Sequence, residues 1–243
     1  MKRPEMIIFD YGQTIISEGT FDGVKGTAAV MEYATENPRG LTPEQVQAEA
    51  VAINRGLNRL DPLKRAQNTV ELPNHMFTRY LYESLGLKIS LSAEDIDRVF
   101  WRNAAPGSPT EGIQEFLEYL WQQGIRTAVL SNISYAGVVV EERINRLLPD
   151  NHFEFIIATS EYLFRKPSKR IFDLALYKSG LDPEDVWYIG DNYDCDVAGA
   201  RNAGMFPVWY KGAMDFEQPD HDDVITVTSW KELEALLGSL RKI

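Results

Sequence analysis

The chain has 243 residues, 44% of them hydrophobic and 25% charged, with a formal net charge of −11, which describes an ordinary soluble globule and excludes a general nucleic-acid backbone binder, since that needs a basic face. A single cysteine, Cys195, excludes an internal disulfide and a multi-cysteine zinc site and fits a reducing compartment. The apolar run behind Lys2 and Arg3 is too short for a secretory or membrane-spanning segment, so the expectation is a cytoplasmic protein, monomer or homodimer, with neither membrane nor nucleic acid as partner.

Met6-Ile7-Ile8-Phe9 is an unbroken apolar run of the length of a strand buried on both faces of a parallel sheet, and it stops at Asp10, with Gly12 close behind. Ligands of open α/β sheets bind outside the carboxyl ends of the strands, so Asp10 is a candidate for chemistry; the alternative is an Asp that merely caps the next turn. Beyond Thr14 the chain is polar and glycine-bearing through Ser17, Glu18, Gly19, Asp22, Gly23 and Gly26, then helical in pattern to about residue 103. Thr42 and Gln45 form a capping box with Pro43 at the first helical position, and Val46, Ala50, Ile53, Leu57 and Leu60 carry that helix to Asp61-Pro62. A second helix is expected from Asn74 to Leu85, with Met76, Phe77, Tyr80, Leu81 and Leu85 inward and Gly86 at its end. A third begins at Ser92 and carries Ile96, Val99 and Phe100. No strand pattern occurs in this span, which reads as an inserted helical cap, residues 17–105, within a core of residues 1–16 and 106–243.

Pro106, Gly107 and Pro109 mark the return to the core. The helix Glu111 to Gln123 presents Ile113, Phe116, Leu117, Leu120 and Trp121 and feeds a strand, Thr127 to Leu130, that stops at Ser131-Asn132. A helical stretch from Val138 to Leu148 precedes the apolar run Phe153 to Ala158. After Arg165-Lys166-Pro167 come the helix Lys169 to Ser179, closed by Gly180, and the strand Val186 to Ile189, ending at Gly190-Asp191. A short helix from Val197 to Ala203, strands Phe206 to Tyr210 and Val224 to Val227, and a last helix boxed by Ser229 and Glu232 complete the chain. Strands alternating with helices at this spacing predict an α/β fold with a doubly wound parallel sheet.

Three strands therefore end in polar residues: Asp10, Ser131-Asn132, and Asp191 with Asp194 and Asp196 behind it. A basic island, Arg165, Lys166, Lys169 and Arg170, precedes the last of them. In this order the set resembles the haloacid dehalogenase (HAD) superfamily, with its Rossmann-like core, and specifically the members with a helical, C1-type cap inserted after the first motif. The resemblance runs from Met6 to Lys211.

That resemblance implies a magnesium-dependent phosphatase acting on a small soluble phosphomonoester, such as a sugar phosphate or a nucleotide. Asp10 matches the nucleophile, which would form an aspartyl-phosphate that water then hydrolyses. Magnesium would be held by Asp10, the carbonyl of Gly12 and Asp191. Ser131, with Asn132, Gly12 and backbone amides, would bind the phosphate; the bland reading of Ser131 is a helix cap. Lys166 matches the lysine that balances nucleophile and phosphoryl group, although a lysine in a basic cluster is also ordinary solvated surface. Asp196 resembles the acid that orients that lysine or a metal-bound water, and Asp194 is read as a helix amino-terminal acid.

One position departs from the pattern. Typical phosphatases of the superfamily have a second Asp two residues after the nucleophile, to protonate the leaving oxygen and activate water, and here that position is Gly12. Losing such a group costs about a hundredfold to ten-thousandfold. Tyr11, Glu18, Asp22 and the cap residue His75 are the candidate replacements; an inactive binder of a phosphorylated metabolite is one alternative. Metal-free 2-haloacid dehalogenation is another, and Asp191 argues against it. Phosphonate cleavage is weaker, because Lys25, Lys64 and Lys88 lack the needed local pattern. In the cap, His75, Tyr80, Arg55, Arg59, Arg79 and Trp101 carry recognition chemistry. The three histidines, His75, His152 and His221, have no metal-ligand spacing, and Cys195 is read as a small packing residue.

Overall fold

The computed structural model describes residues 1–61, 64, 67–213 and 221–240. In chain order its strands are β1 (Met6–Phe9), β2 (Ile16–Ser17), β3 (Ala34–Glu36), β4 (Lys88–Ile89), β5 (Ser108–Pro109), β6 (Arg126–Ser131), β7 (Ile156–Ala158), β8 (Val186–Gly190), β9 (Phe206–Tyr210) and β10 (Ile225–Val227). The longer helices are α1 (Gly23–Met31), α2 (Pro43–Gly56), α3 (Asn74–Leu85), α4 (Ala93–Ala104), α5 (Ile113–Gln122), α6 (Gly137–Leu147), α7 (Lys169–Ser179), α8 (Gly199–Asn202) and α9 (Trp230–Ser239). Among the described residues no helix is long and apolar enough to cross a membrane.

Six strands form one parallel sheet in the order β10-β9-β8-β1-β6-β7. From β1 the chain winds outward to β6 and β7, then returns to the other side for β8, β9 and β10. The winding thus reverses at β1, and the crevice at such a reversal is where open α/β sheets take ligands. Alternate residues of the buried strands supply two cores. Ile7, Phe9, Val129 and Ile189 meet Phe116, Leu120 and Trp230 on one face, while Met6, Ile8, Leu130 and Tyr188 meet Ile171, Phe172 and Ala200 on the other. A third cluster, Val30, Val46, Ala50, Leu81, Tyr82, Leu87 and Ile96, belongs to the helical insertion. The chain enters and leaves that insertion side by side, through the antiparallel pair β2 and β5.

Several expectations for the insertion need correction. It does contain strands: β3 and β4 pair antiparallel, and Val70 bridges Phe164 of the core. These pairings are two or three residues long, too short to show an alternating pattern in sequence. Helix α2 keeps its capping box and its proline but ends at Gly56, because Asn58 has φ 57° in the left-handed region, and Leu57 and Leu60 lie exposed. Pro62, the expected stop, lies outside the described residues. On α3, Met76 is 54% and Tyr80 62% exposed, and the buried stripe is Thr78, Leu81 and Tyr82. Leu81 and Tyr82 pack in the insertion's own cluster with Val30, Val46, Ala50 and Ile96. In the core, Trp121 is exposed at the end of α5. The last helix keeps Ser229 as its cap, and the Glu232 carboxylate accepts from the backbone N–H of Thr228.

Candidate active site

Register explains why distant residues meet. Phe9 pairs with Val129 on one side and Ile189 on the other, and the N–H of Asp10 donates to the carbonyl of Ile189 at 2.8 Å. Asp10, one residue beyond Phe9, and Ser131 and Asp191, each two residues beyond the partner of Phe9 on its strand, therefore reach one edge of the sheet together. All three line a cavity of about 810 Å³, with Gly12, Asn132, Lys166 and Asp196.

Lys166 is the hub. Its side chain is buried, and Nζ donates to Asp10 Oδ1 at 2.8 Å, to Asp196 Oδ1 at 2.6 Å and to the Tyr188 hydroxyl at 2.8 Å. That accounts for all three donors of the ammonium. Tyr188 in turn donates to the carbonyl of Leu130 at 2.8 Å. Burial opposes the lysine's charge, but Asp10 and Asp196 outweigh it and raise the pKa well above its ordinary value, so the amine is charged. The backbone of Lys166 is held as firmly. Asn132 accepts from its N–H at 2.8 Å and donates to its carbonyl at 2.9 Å. The Asn132 amide, expected on the phosphate, thus holds the loop that carries Lys166.

Asp196 sits in a wide helical turn, Tyr193–Ala198, capped by Asn192. Such turns are frequent at functional sites. Its second oxygen accepts from the N–H of Asn192 at 2.9 Å, so both oxygens are engaged with donors. Its carboxylate lies against Gly190, where a Cβ would come within 2.3 Å of it, so the strand end must be glycine. Burial and the charge of Asp10 push the Asp196 carboxyl up to about 6, against the pull of Lys166. Asp191 is anchored by the Trp209 indole, which donates to its backbone carbonyl at 2.8 Å. Burial, then the charges of Asp10 and Asp196, push the Asp191 carboxyl up to about 8.

Carboxylate oxygens of Asp10, Asp191 and Asp196 lie within 4.8 Å of one another. Three carboxylates face one ammonium, an excess of negative charge in a buried place, and the all-oxygen donor set fits a hard divalent cation. Asp196 already has its donors, so Asp10 and Asp191 are the carboxylates disposed to hold one. Among the described residues the Ser131 hydroxyl, also in the cavity, has no hydrogen-bond partner in the protein.

Of the four candidates for the missing proton carrier, only Tyr11 and Glu18 line the cavity. Asp22 caps α1, accepting from the N–H of Lys25, and His75 is exposed on α3. The Tyr11 hydroxyl accepts from Arg143 Nε at 2.7 Å, and burial raises its pKa, so the phenol keeps its proton. Glu18 accepts from Arg143 Nη2 at 3.1 Å and Trp101 Nε1 at 3.2 Å. A Cβ built on Gly12 meets nothing within 4 Å: the space is open. Cys195 is partly buried, its thiol pushed up to about 11, which fits a packing residue. Sequence reasoning missed Tyr188, Arg143 and Asn192. Tyr188 lies inside an apolar run where any aromatic residue reads as core. Only Asn192 carried a signal, as a capping residue type just after a strand.

The sequence profile of the haloacid dehalogenase-like hydrolases matches residues 4–204. Glyceraldehyde 3-phosphate phosphatase of Methanothermobacter thermautotrophicus is 30% identical over 125 residues, covering 49% of this chain and 54% of that protein. Pyrimidine 5'-nucleotidase YjjG of Escherichia coli is 26% identical over 236 residues, 96% of this chain and 97% of that one. The chain spans about half the length of the first curated relatives it matches. In fold it is similar to a 2-haloacid dehalogenase from Pseudomonas syringae pv. Tomato DC3000, with TM-score 0.67, 19% identity and coverage of 98% and 99% of the two chains.

Proposed function

This chain belongs to the haloacid dehalogenase-like hydrolase family, and we propose that it hydrolyses a small phosphomonoester with magnesium, through an aspartyl-phosphate on Asp10. The observation that carries the reading is a buried ammonium, Lys166, shared by Asp10 and Asp196, with Asp191 completing an acidic cluster on the nucleophile's open side.

Asp10, Asp191 and the carbonyl of Gly12 would hold the magnesium ion, which supplies the charge that lets an anionic nucleophile approach a phosphate dianion. An Asp10 oxygen forms the new bond to phosphorus as the ester oxygen leaves, and the acyl phosphate is then cleaved by water. Lys166 offsets charge on the nucleophile and on the transferring group. Ser131 donates to a phosphate oxygen. Position 12 has no side chain, so Glu18 is the candidate left in the cavity for moving a proton to the leaving oxygen.

The cavity shares Phe21, Arg59, Leu60 and Tyr135 with a recess of about 470 Å³ in the insertion. Rings of Phe77 and Phe100 and the amides of Gln47 and Asn54 line that recess. With Arg59, Glu71 and Arg165 also in its wall, such a lining supports a polar leaving group larger than a triose, as in a nucleotide or sugar phosphate, and the full-length likeness to a nucleotidase points the same way.

Phosphate release from a panel of phosphorylated sugars, nucleotides and acids, with and without magnesium, tests the reading. Magnesium-dependent turnover that Asp10→Asn abolishes is the expected result. Halide release from a 2-haloacid without metal would replace it with dehalogenation. Ligand-dependent thermal stabilisation with no turnover would leave a binding protein.

A further inference from the structure

One acidic side chain of the insertion is threaded into the core behind both loops that carry the site. Residues 69–71 run antiparallel to residues 163–165. The N–H of Glu71 donates to the carbonyl of Leu163 at 2.7 Å, the N–H of Arg165 donates to that of Thr69 at 2.9 Å, and Val70 bridges Phe164. This pairing stops one residue short of Lys166. The Glu71 side chain is buried, with Oε2 accepting from Thr159 Oγ1 at 3.0 Å and lying 3.5 Å from Arg165 Nη1. Thr159 Oγ1 also accepts from the N–H of Ile133 at 3.0 Å. Ile133 follows Asn132, the residue that holds the Lys166 backbone at both its polar groups.

A single carboxylate oxygen therefore closes a ring of contacts that joins the loop after Ser131 to the loop before Lys166. Burying a carboxylate is costly unless it is paired. Here the partners are core residues and not neighbours in the insertion, so the contact is not a by-product of the insertion's own packing. Two backbone hydrogen bonds tie the segment 163–165 to its strand partner, and Lys166 follows directly from it.

We propose that Glu71 is a positioning residue, which acts through Arg165 and Thr159 so that docking of segment 69–71 and delivery of the Lys166 ammonium to Asp10 are a single event. The insertion then does more than cover the cavity: part of it is the scaffold of the catalytic lysine. The kinetic readout of this proposal rests on the phosphatase reading above; the structural readout does not.

The test uses Glu71→Ala, which removes both contacts, and Glu71→Gln, which keeps an acceptor for Thr159 and loses the ion pair. Hydrolysis of p-nitrophenyl phosphate with magnesium is measured beside amide exchange, by mass spectrometry, of peptides covering 131–136 and 163–168. In Glu71→Ala, kcat should fall about a hundredfold, the scale of a displaced catalytic group, with KM changed less than about threefold. Exchange should quicken in those two peptides while β1 and β8 stay protected, and Glu71→Gln should recover part of both effects. A kcat within about twofold of the parent with unchanged exchange overturns the proposal, as does loss of protection spread evenly over the core. If the parent protein does not turn over the ester, the exchange measurement alone decides. Quickening confined to the two loops then sustains the coupling and places the failure on the phosphatase reading. Should Glu71→Ala not fold, Glu71→Gln is judged by the same two criteria.

Discussion

Replacing Tyr188 by Phe removes one oxygen that serves two bonds, accepting from Lys166 Nζ and donating to the carbonyl of Leu130, each at 2.8 Å. The ring stays, edge-on to Phe172 at a centroid distance of 5.1 Å, so no cavity opens. What is lost is pairing at both ends of a buried hydroxyl. A hydrogen bond to a charged group is worth roughly 1.5–3 kcal/mol, and a deserted buried acceptor costs roughly 1–3 kcal/mol. The Leu130 carbonyl has a second lone pair and lies in a sheet, so its share falls at the low end, and the loss comes to about 2–4 kcal/mol. That is a large part of the roughly 5–15 kcal/mol of a typical domain. Lys166 keeps Asp10 and Asp196, so it stays charged and in place, and turnover falls less than about tenfold. Urea unfolding with linear extrapolation reads the stability term. A loss below about 0.5 kcal/mol, the level of an ordinary surface substitution, refutes the reasoning, because the third donor of the ammonium would then be indifferent to its partner.

Two further outcomes are expected. Gly12→Asp fills open space with the carboxylate that the resemblance places there, and should raise kcat about tenfold or more on an ester with a poor leaving group and far less on p-nitrophenyl phosphate; equal effects on both would exclude a proton-transfer role for that position. Without metal, native Asp191 and Asp196 hold protons to about pH 8 and about pH 6, whereas the unfolded chain releases them near pH 3.9, so the native state binds more protons across this window. Their contribution to stability is therefore lost as pH rises from about 4 through about 8, the melting temperature in a chelator declines over that range, and magnesium raises it more at the alkaline end. A magnesium shift independent of pH would show that the ion does not bind at these carboxylates.

The sheet was legible because a strand buried on both faces is a run of apolar residues with a sharp end. Met6–Phe9 and Phe206–Tyr210 fall where the apolar runs place them, and α7 keeps both expected bounds, with Gly180 left-handed at its end. The gathering of Asp10, Ser131 and Asp191 was implicit in the same signal, since each ends a strand and β1 lies between the other two. Pairing between segments far apart in sequence left no such trace. Nothing local in Thr69-Val70-Glu71 says that it will line the stretch before Lys166, more than ninety residues later, or that Arg143 will reach Tyr11 and Glu18. Tyr188 shows the same limit within a strand: its ring obeys the core pattern while its hydroxyl serves the site, and periodicity reports only the ring.

Fold likeness cannot choose between reactions here, because the same architecture, at a TM-score of 0.67, belongs to a protein that displaces halide. Charge can. Displacing a halide from carbon needs a carboxylate nucleophile and at most one further acid to activate the water that hydrolyses the ester, and it leaves a stable anion, so a second further acid beside them would only add repulsion. In this chain Asp191 and Asp196 stand beside Asp10, and burial with mutual repulsion pushes Asp191 up to about 8. That arrangement is unfavourable until a cation occupies it, and one lysine already shared by Asp10 and Asp196 is too little. A phosphate dianion makes the deficit larger, so the substrate and the site lack the same thing. Chemistry in which a divalent cation is held between nucleophile and substrate meets both needs at once, and on this electrostatic ground phosphoryl transfer from a monoester is favoured over displacement at carbon.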